Sequence, residues 1–143
     1  MRYVVDSSVA AKWIIPEADS DKALHLLDEH HRGVHELLVP DWLLPEVANV
    51  LGKAAVVRQV LTPQEARQGF AAIQGLSLKL FASVPLTAQA LELAITHRRA
   101  VYDCLYIALA INQGCQLVTA DQPIVNQLAA TFPFLISLST LSP

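Results

Sequence analysis

Tyr3-Val4-Val5-Asp6-Ser7-Ser8-Val9 opens the chain with a short apolar run, rich in β-branched residues, that ends on an acid and passes into helical periodicity. The same grammar returns at Leu117-Val118-Thr119-Ala120-Asp121. Leu37-Leu38-Val39 is followed across a short turn by Glu46, and Asp103 opens a long apolar helical stretch. Apolar runs of four to six residues alternating with helical periodicity are the pattern of βα units around a parallel sheet. In such a sheet, acids that close strands or open the helices after them gather at the carboxyl edge, where open α/β sheets bind ligands. Converged carboxylates repel: two unit charges ~5 Å apart at an effective dielectric of ~20 cost roughly 3 kcal/mol. Four of them call for a cation, and hard oxygen donors suit Mg²⁺ or Mn²⁺.

Outward from these motifs the chain reads as one α/β domain spanning residues 1–143, with no repeat, low-complexity tract or flexible linker. A first helix is expected over Ser7–Ile15, stopped by Pro16. A second, capped by Asp19 or Ser20, would present Ala23, Leu24, Leu27 and His31 on one face and end at Gly33. After a strand at Glu36–Val39, Asp41 is expected to cap a long helix carrying Leu43, Val47, Val50, Leu51, Ala54 and Val57, with Pro45 in its first turn. Thr62-Pro63-Gln64-Glu65 is a capping-box signature for a helix reaching about Gly75. A strand over Leu78–Val84 comes next, then a helix capped by Thr87 and reaching about Arg99, and another from Tyr102 to Gln113, ended by Gly114. Asp121 caps a short helix with Ile124, Val125 and Leu128, and Phe134–Leu138 forms the last strand.

The composition narrows the class. With 53% hydrophobic and 16% charged residues, either the core is unusually apolar or a partner covers apolar surface. A net charge of −3 offers no basic field for nucleic acid, although the acidic cluster itself accounts for much of the imbalance. Cys104 and Cys115 lack disulfide or zinc-site spacing and read as core residues of a reducing compartment. A charge too early for a signal peptide, and Pro123, Asn126, Gln127 and Pro133 breaking the uncharged tail, point to a cytoplasmic protein without a spanning helix.

Each acid also has a structural use, since Asp6, Asp103 and Asp121 stand where a helix N-cap contributes about 1 kcal/mol. Glu46, at the border of an apolar stripe, and Asp103, flanked by Val101, Tyr102, Cys104 and Leu105, are less easily explained that way. Lys12 could reach a phosphate or be solvated. Arg98 and Arg99 suit a helix C-terminus and are the best candidates for contact with an RNA backbone. His30 and His31 diverge on a helix and offer no ligand pair; Trp13 and Trp42 read as packing residues rather than base-stacking ones.

Val4-Val5-Asp6-Ser7-Ser8-Val9, Leu44-Pro45-Glu46-Val47-Ala48-Asn49-Val50-Leu51, Tyr102-Asp103-Cys104-Leu105-Tyr106-Ile107-Ala108-Leu109-Ala110 and Leu117-Val118-Thr119-Ala120-Asp121 together resemble the PIN-domain ribonucleases. The likeness is greatest to the VapC-like toxins of toxin–antitoxin pairs, and it runs from about Met1 to Ser137. The resemblance implies a parallel sheet of order 3-2-1-4-5 with helices on both faces. It implies catalytic and metal-holding acids at Asp6, Glu46, Asp103 and Asp121, supporting hydroxyls at Ser7 and Thr119, and hydrolysis of RNA with one or two Mg²⁺ or Mn²⁺ ions. It further implies a homodimer gripped by an antitoxin, for which Leu24, Leu27, Leu51 and Val57 would offer a surface. Gln122-Pro123 stands where many relatives carry a charged pair. A catalytically dead PIN-like binding module is the alternative. A phosphoacceptor receiver fits less well: Ser7-Ser8 replaces its second acid, and no lysine follows the last strand.

Overall fold

The computed structural model describes Met1–Pro143. Five parallel strands, β1 (Arg2–Val5), β2 (Glu36–Pro40), β3 (Lys79–Phe81), β4 (Gln116–Thr119) and β5 (Leu135–Ser137), form one sheet in the order β3-β2-β1-β4-β5. The expected order is therefore the observed one. The chain leaves β1 toward one border, then returns to build the other half from β4. The β1–β4 pair is the switch point, where crossovers diverge and leave a crevice beyond the strand ends. Val4, Val5, Leu37, Leu38, Val39 and Val118 are fully buried, because helices cover both faces of the sheet.

Seven helices surround it: α1 (Ser7–Ala11), α2 (Ser20–His31), α3 (Leu43–Val56), α4 (Pro63–Gln74), α5 (Thr87–His97), α6 (Val101–Gln113) and α7 (Gln122–Leu128). α6 is the central one. Every residue from Cys104 to Ala110 is buried, and the helix packs on β1, β2 and β4. Cys104 is a buried free thiol, whereas Cys115, expected in the core, is only half-buried at its border; burial pushes the Cys104 thiol up to about 11. No helix is long and apolar enough to cross a membrane.

Several local expectations need correction. α1 stops at Ala11 rather than Ile15; Lys12, Trp13 and Ile14 continue as a tight turn, and Trp13 donates its indole N–H to the Ala23 carbonyl at 2.9 Å. On α2 the buried residues are Ala23 and Leu26, while Leu24 is exposed, since one residue of register turns a helical face by about 100°. Asp19 makes no side-chain cap bond. Asp41 does not cap α3: its carboxylate accepts from the Ser83 amide at 3.0 Å and fastens the ends of β2 and β3 together. β3 is only three residues long, because a 3₁₀ turn at Val84–Leu86 holding Pro85 replaces its expected second half. Thr87 begins α5 instead of capping it, and its hydroxyl donates to the Ser83 carbonyl. β5 likewise yields to a 3₁₀ turn at Leu138–Thr140.

The capping box stands as expected. Thr62 accepts from the Glu65 amide at 3.1 Å, and Glu65 accepts from the Thr62 amide at 2.8 Å. Thr62→Ala should lower unfolding free energy by about 1 kcal/mol, read from a denaturant midpoint at constant slope.

Candidate active site

Asp6 is the first residue beyond β1. Val5 pairs with Val118 in register, which sets Asp6 beside Thr119 at the end of β4. Its carboxylate caps α1 by accepting from the Ser8 and Val9 amides at 3.1 and 3.3 Å. Two hydroxyls complete the shell: Ser8 donates to Oδ1 at 2.5 Å and Thr119 donates to Oδ2. The residue is 8% exposed. Burial pushes its carboxyl up to about 6; those hydrogen bonds oppose the rise and the nearby Glu46 charge adds to it.

The remaining acids stand around the same edge. Asp121 follows β4 by two residues, accepts from the Ile124 amide at 3.3 Å as the cap of α7, and donates its own amide to Thr119 Oγ1 at 3.0 Å. Glu46 lies in the first turn of α3 and Asp103 in the first turn of α6. Asp103 is thus not a cap, since Ala100 holds that position. Burial raises the Asp103 carboxyl, Arg99 pulls it back, and the Asp121 and Glu46 charges add smaller rises. These couplings, Asp6 with Glu46 and Asp103 with both Asp121 and Glu46, place all four carboxylates in one field. Cavities of about 400 Å³ flank Arg2 at the opposite, amino edge of the sheet, away from this crevice.

Three residues act here in ways the sequence reading did not assign. Ser8, rather than Ser7, supports Asp6; it also accepts from the Ala120 amide at 2.9 Å and stitches α1 to the end of β4. Ser7 instead lies against the Tyr106 hydroxyl. Tyr106 donates to Glu46 Oε1 at 2.6 Å, and burial followed by the Glu46 charge keeps its phenol far above the ordinary range. Arg99 does not reach outward for a phosphate. Its guanidinium bridges Asp103 at 3.1 Å and Asp121 at 3.7 Å and donates to Gln127 at 3.1 Å. Lys12 is also engaged, pairing with Glu17 at 3.3 Å, whereas Arg98 is exposed and pairs with no carboxylate. Ser8, two residues after Asp6, was the available signal for the first; Tyr106 shares the α6 face of Asp103 at three-residue spacing, but its partner Glu46 lies 60 positions away and only the fold brings them together.

Whether the edge suits a hard divalent cation turns on its donors. They are all carboxylate and hydroxyl oxygens; the Glu46 charge adds to the rise at Asp6, and the Glu46 and Asp121 charges add to that at Asp103, an imbalance that a cation relieves. In chemistry the set fits. No three of these side chains are spaced as a ready cage, however. Arg99 balances Asp103 and Asp121, while Tyr106, Ser8 and Thr119 hold Glu46 and Asp6.

Residues 3–126 match the family described as PIN domain. The chain is 34% identical over 139 residues to Ribonuclease VapC3 of Pyrobaculum aerophilum, covering 96% of this chain and 99% of that one. Among solved structures, VapBC2 of Rickettsia felis bound to a DNA fragment from its promoter aligns with TM-score 0.64 and 16% identity, over 96% of this chain and 97% of that one. The Mycobacterium tuberculosis toxin VapC20, which cleaves the sarcin-ricin loop, aligns with TM-score 0.62 and 19% identity, over 82% of this chain and 87% of that one. A further Pyrobaculum aerophilum structure aligns with TM-score 0.63 and 23% identity, over 98% of this chain and 94% of that one. At such identities the solved structures speak for the fold, and the family and the ribonuclease relative speak for descent. The chain belongs to the PIN-domain family.

Proposed function

We propose that this protein is a metal-dependent endoribonuclease acting as the toxin of a toxin–antitoxin pair. The observation that supports the reading is the chain of contacts at the β1–β4 switch point that links the four acids: Thr119 joins Asp6 to the Asp121 amide, Arg99 joins Asp121 to Asp103, and Tyr106, on the helix of Asp103, holds Glu46. The family and the 34% identical ribonuclease support the choice of an RNA phosphodiester as substrate.

Asp6, Asp103 and Asp121 would hold the metal, with Glu46 completing the set or orienting the attacking water. Bound Mg²⁺ or Mn²⁺ supplies a lowered water pKa and a positive charge opposite the oxygens of the phosphorane-like transition state. The chain's own groups do the positioning. Thr119 and Ser8 fix both oxygens of Asp6, so its rotamer is set before substrate arrives. Tyr106 fixes Glu46 in the same way. Because all four acids sit at strand ends or in first helical turns, the constellation rests on rigid elements rather than mobile loops.

The proposed partners are RNA, an antitoxin and a second copy of the chain. Of the apolar residues expected to face a partner, Leu24 and Val57 are exposed and Leu27 is half-buried. Leu51 is only 1% exposed and belongs to the core, as its place on the inner stripe of α3 requires.

The test incubates purified protein with cellular RNA in Mg²⁺, in Mn²⁺ and in chelator, beside Asp103→Asn. Discrete cleavage by the wild type alone, lost in chelator, is the expected result. Inertness of wild type and variant alike, across metals and RNAs, would favour the dead binding module.

A further inference from the structure

Outside the acids the same crevice carries a feature that hydrolysis does not require. Trp42 and Tyr102 stack face to face, with ring centroids 4.7 Å apart and planes 10° from parallel. Trp42 precedes α3 and its carbonyl accepts the Glu46 amide at 3.2 Å. Tyr102 is the residue before Asp103. The first turns that present Glu46 and Asp103 therefore also fix the two rings. Trp42 is half-buried and packs on the core, whereas Tyr102 is 51% exposed. The order from inside to outside is core, indole, phenol, solvent, which leaves the outer face of Tyr102 free. Its hydroxyl has no hydrogen-bond partner within the protein, so neither ring burial nor hydroxyl bonding accounts for a tyrosine at this position.

We propose that Tyr102, backed by Trp42, is a stacking platform for an unpaired nucleobase adjoining the phosphate at the acidic edge. The inference rests on the ribonuclease reading and narrows its substrate to single-stranded RNA or an unpaired loop. Sequence-specific proteins take RNA mostly where bases are splayed out and can stack on aromatic side chains. A phenol already held flat by an indole loses little freedom when a base lands on it, so the stacking energy is not spent on ordering the ring. Charge agrees with this occupant. Arg98, in the link that leads into α6, is exposed and unpaired, and offers a cation to a backbone phosphate of a chain that is otherwise acidic.

The experiment uses a short single-stranded oligoribonucleotide spanning a cut site mapped with the wild-type protein. Steady-state cleavage is measured for wild type, Tyr102→Ala and Tyr102→Phe, on this oligonucleotide and on versions made abasic at each nucleotide flanking the cut. Tyr102→Ala should lower kcat/KM roughly 5- to 100-fold, mainly through KM, the range expected for one base–aromatic stack. Tyr102→Phe, which keeps the ring, should stay near wild type. Removing one particular base should cost the wild type the same factor and cost Tyr102→Ala nothing further. Equal kcat/KM for wild type and Tyr102→Ala, or penalties that simply multiply, overturns the platform while leaving the ribonuclease standing. A wild type that cuts no RNA removes the reading beneath, and the platform with it. Unchanged kinetics with an altered sedimentation coefficient would assign the ring to contact with a second copy instead, and would overturn the proposal.

Discussion

Asp6→Asn should abolish RNA cleavage, by at least ~100-fold in kcat, and at the same time raise the melting temperature measured at pH 7 in chelator. The two effects share one cause. Asp6 is buried, and its carboxyl is pushed up to about 6 from an ordinary 3.8, so in the absence of a cation its ionised form opposes folding. A gap of about two pKa units corresponds to roughly 3 kcal/mol, an upper bound on what asparagine recovers. The amide oxygen can still accept from the Ser8 and Val9 backbone. The sign follows from linkage. A carboxyl raised on folding contributes stability below its unfolded value near 3.8, and that contribution disappears as pH climbs through about 6. Wild type and Asp6→Asn should therefore differ little near pH 4 and diverge by pH 7, with the variant melting about 5–10 °C higher. Added Mn²⁺ should then raise the wild type and leave the variant unmoved. Identical melting curves at pH 7 in chelator would show that Asp6 carries no such penalty.

Arg99→Gln should move stability and metal response in opposite directions. The guanidinium bridges Asp103 and Asp121 and thus serves as the cation of that half of the site. These groups are partly solvated, so loss of the bridge in chelator should cost about 1 kcal/mol rather than the 3–5 kcal/mol of a fully buried pair. With the competing charge gone, Mn²⁺ should bind about tenfold more tightly by calorimetry, the equivalent of roughly 1.4 kcal/mol of relieved repulsion, and give a larger thermal shift than in wild type. Weaker Mn²⁺ binding in the variant would mean that Arg99 supports the ion instead of substituting for it. Either way its position explains why these carboxylates coexist without forming a closed cage.

The architecture was legible because buried parallel strands leave continuous apolar runs, and because the two runs that meet at the switch point, β1 and β4, are each closed by an acid. Asp6 and Asp121 betray their places by backbone logic alone, as both truly cap helices. The residues that escaped notice are those whose roles depend on side-chain reach. Ser7 and Ser8 are indistinguishable as letters, yet only Ser8 returns to the carboxylate two residues behind it. Asp41 looks like a cap until the Ser83 amide, 42 positions away, claims it. Arg99 reads as a free cation beside a helix end, and only the fold brings Asp121 to its other side. Trp42 and Tyr102, 60 positions apart, show nothing of their stacking before the fold brings the starts of α3 and α6 together.

Both borders of the sheet are occupied by strands of three residues, and the outer one at the β3 side begins with an exposed lysine. So few free backbone groups, guarded by a charge, make a poor template for pairing with another chain. A protein this rich in apolar residues should accordingly accumulate without fibril formation, and whatever assembly it enters must be built from side chains rather than by lengthening the sheet.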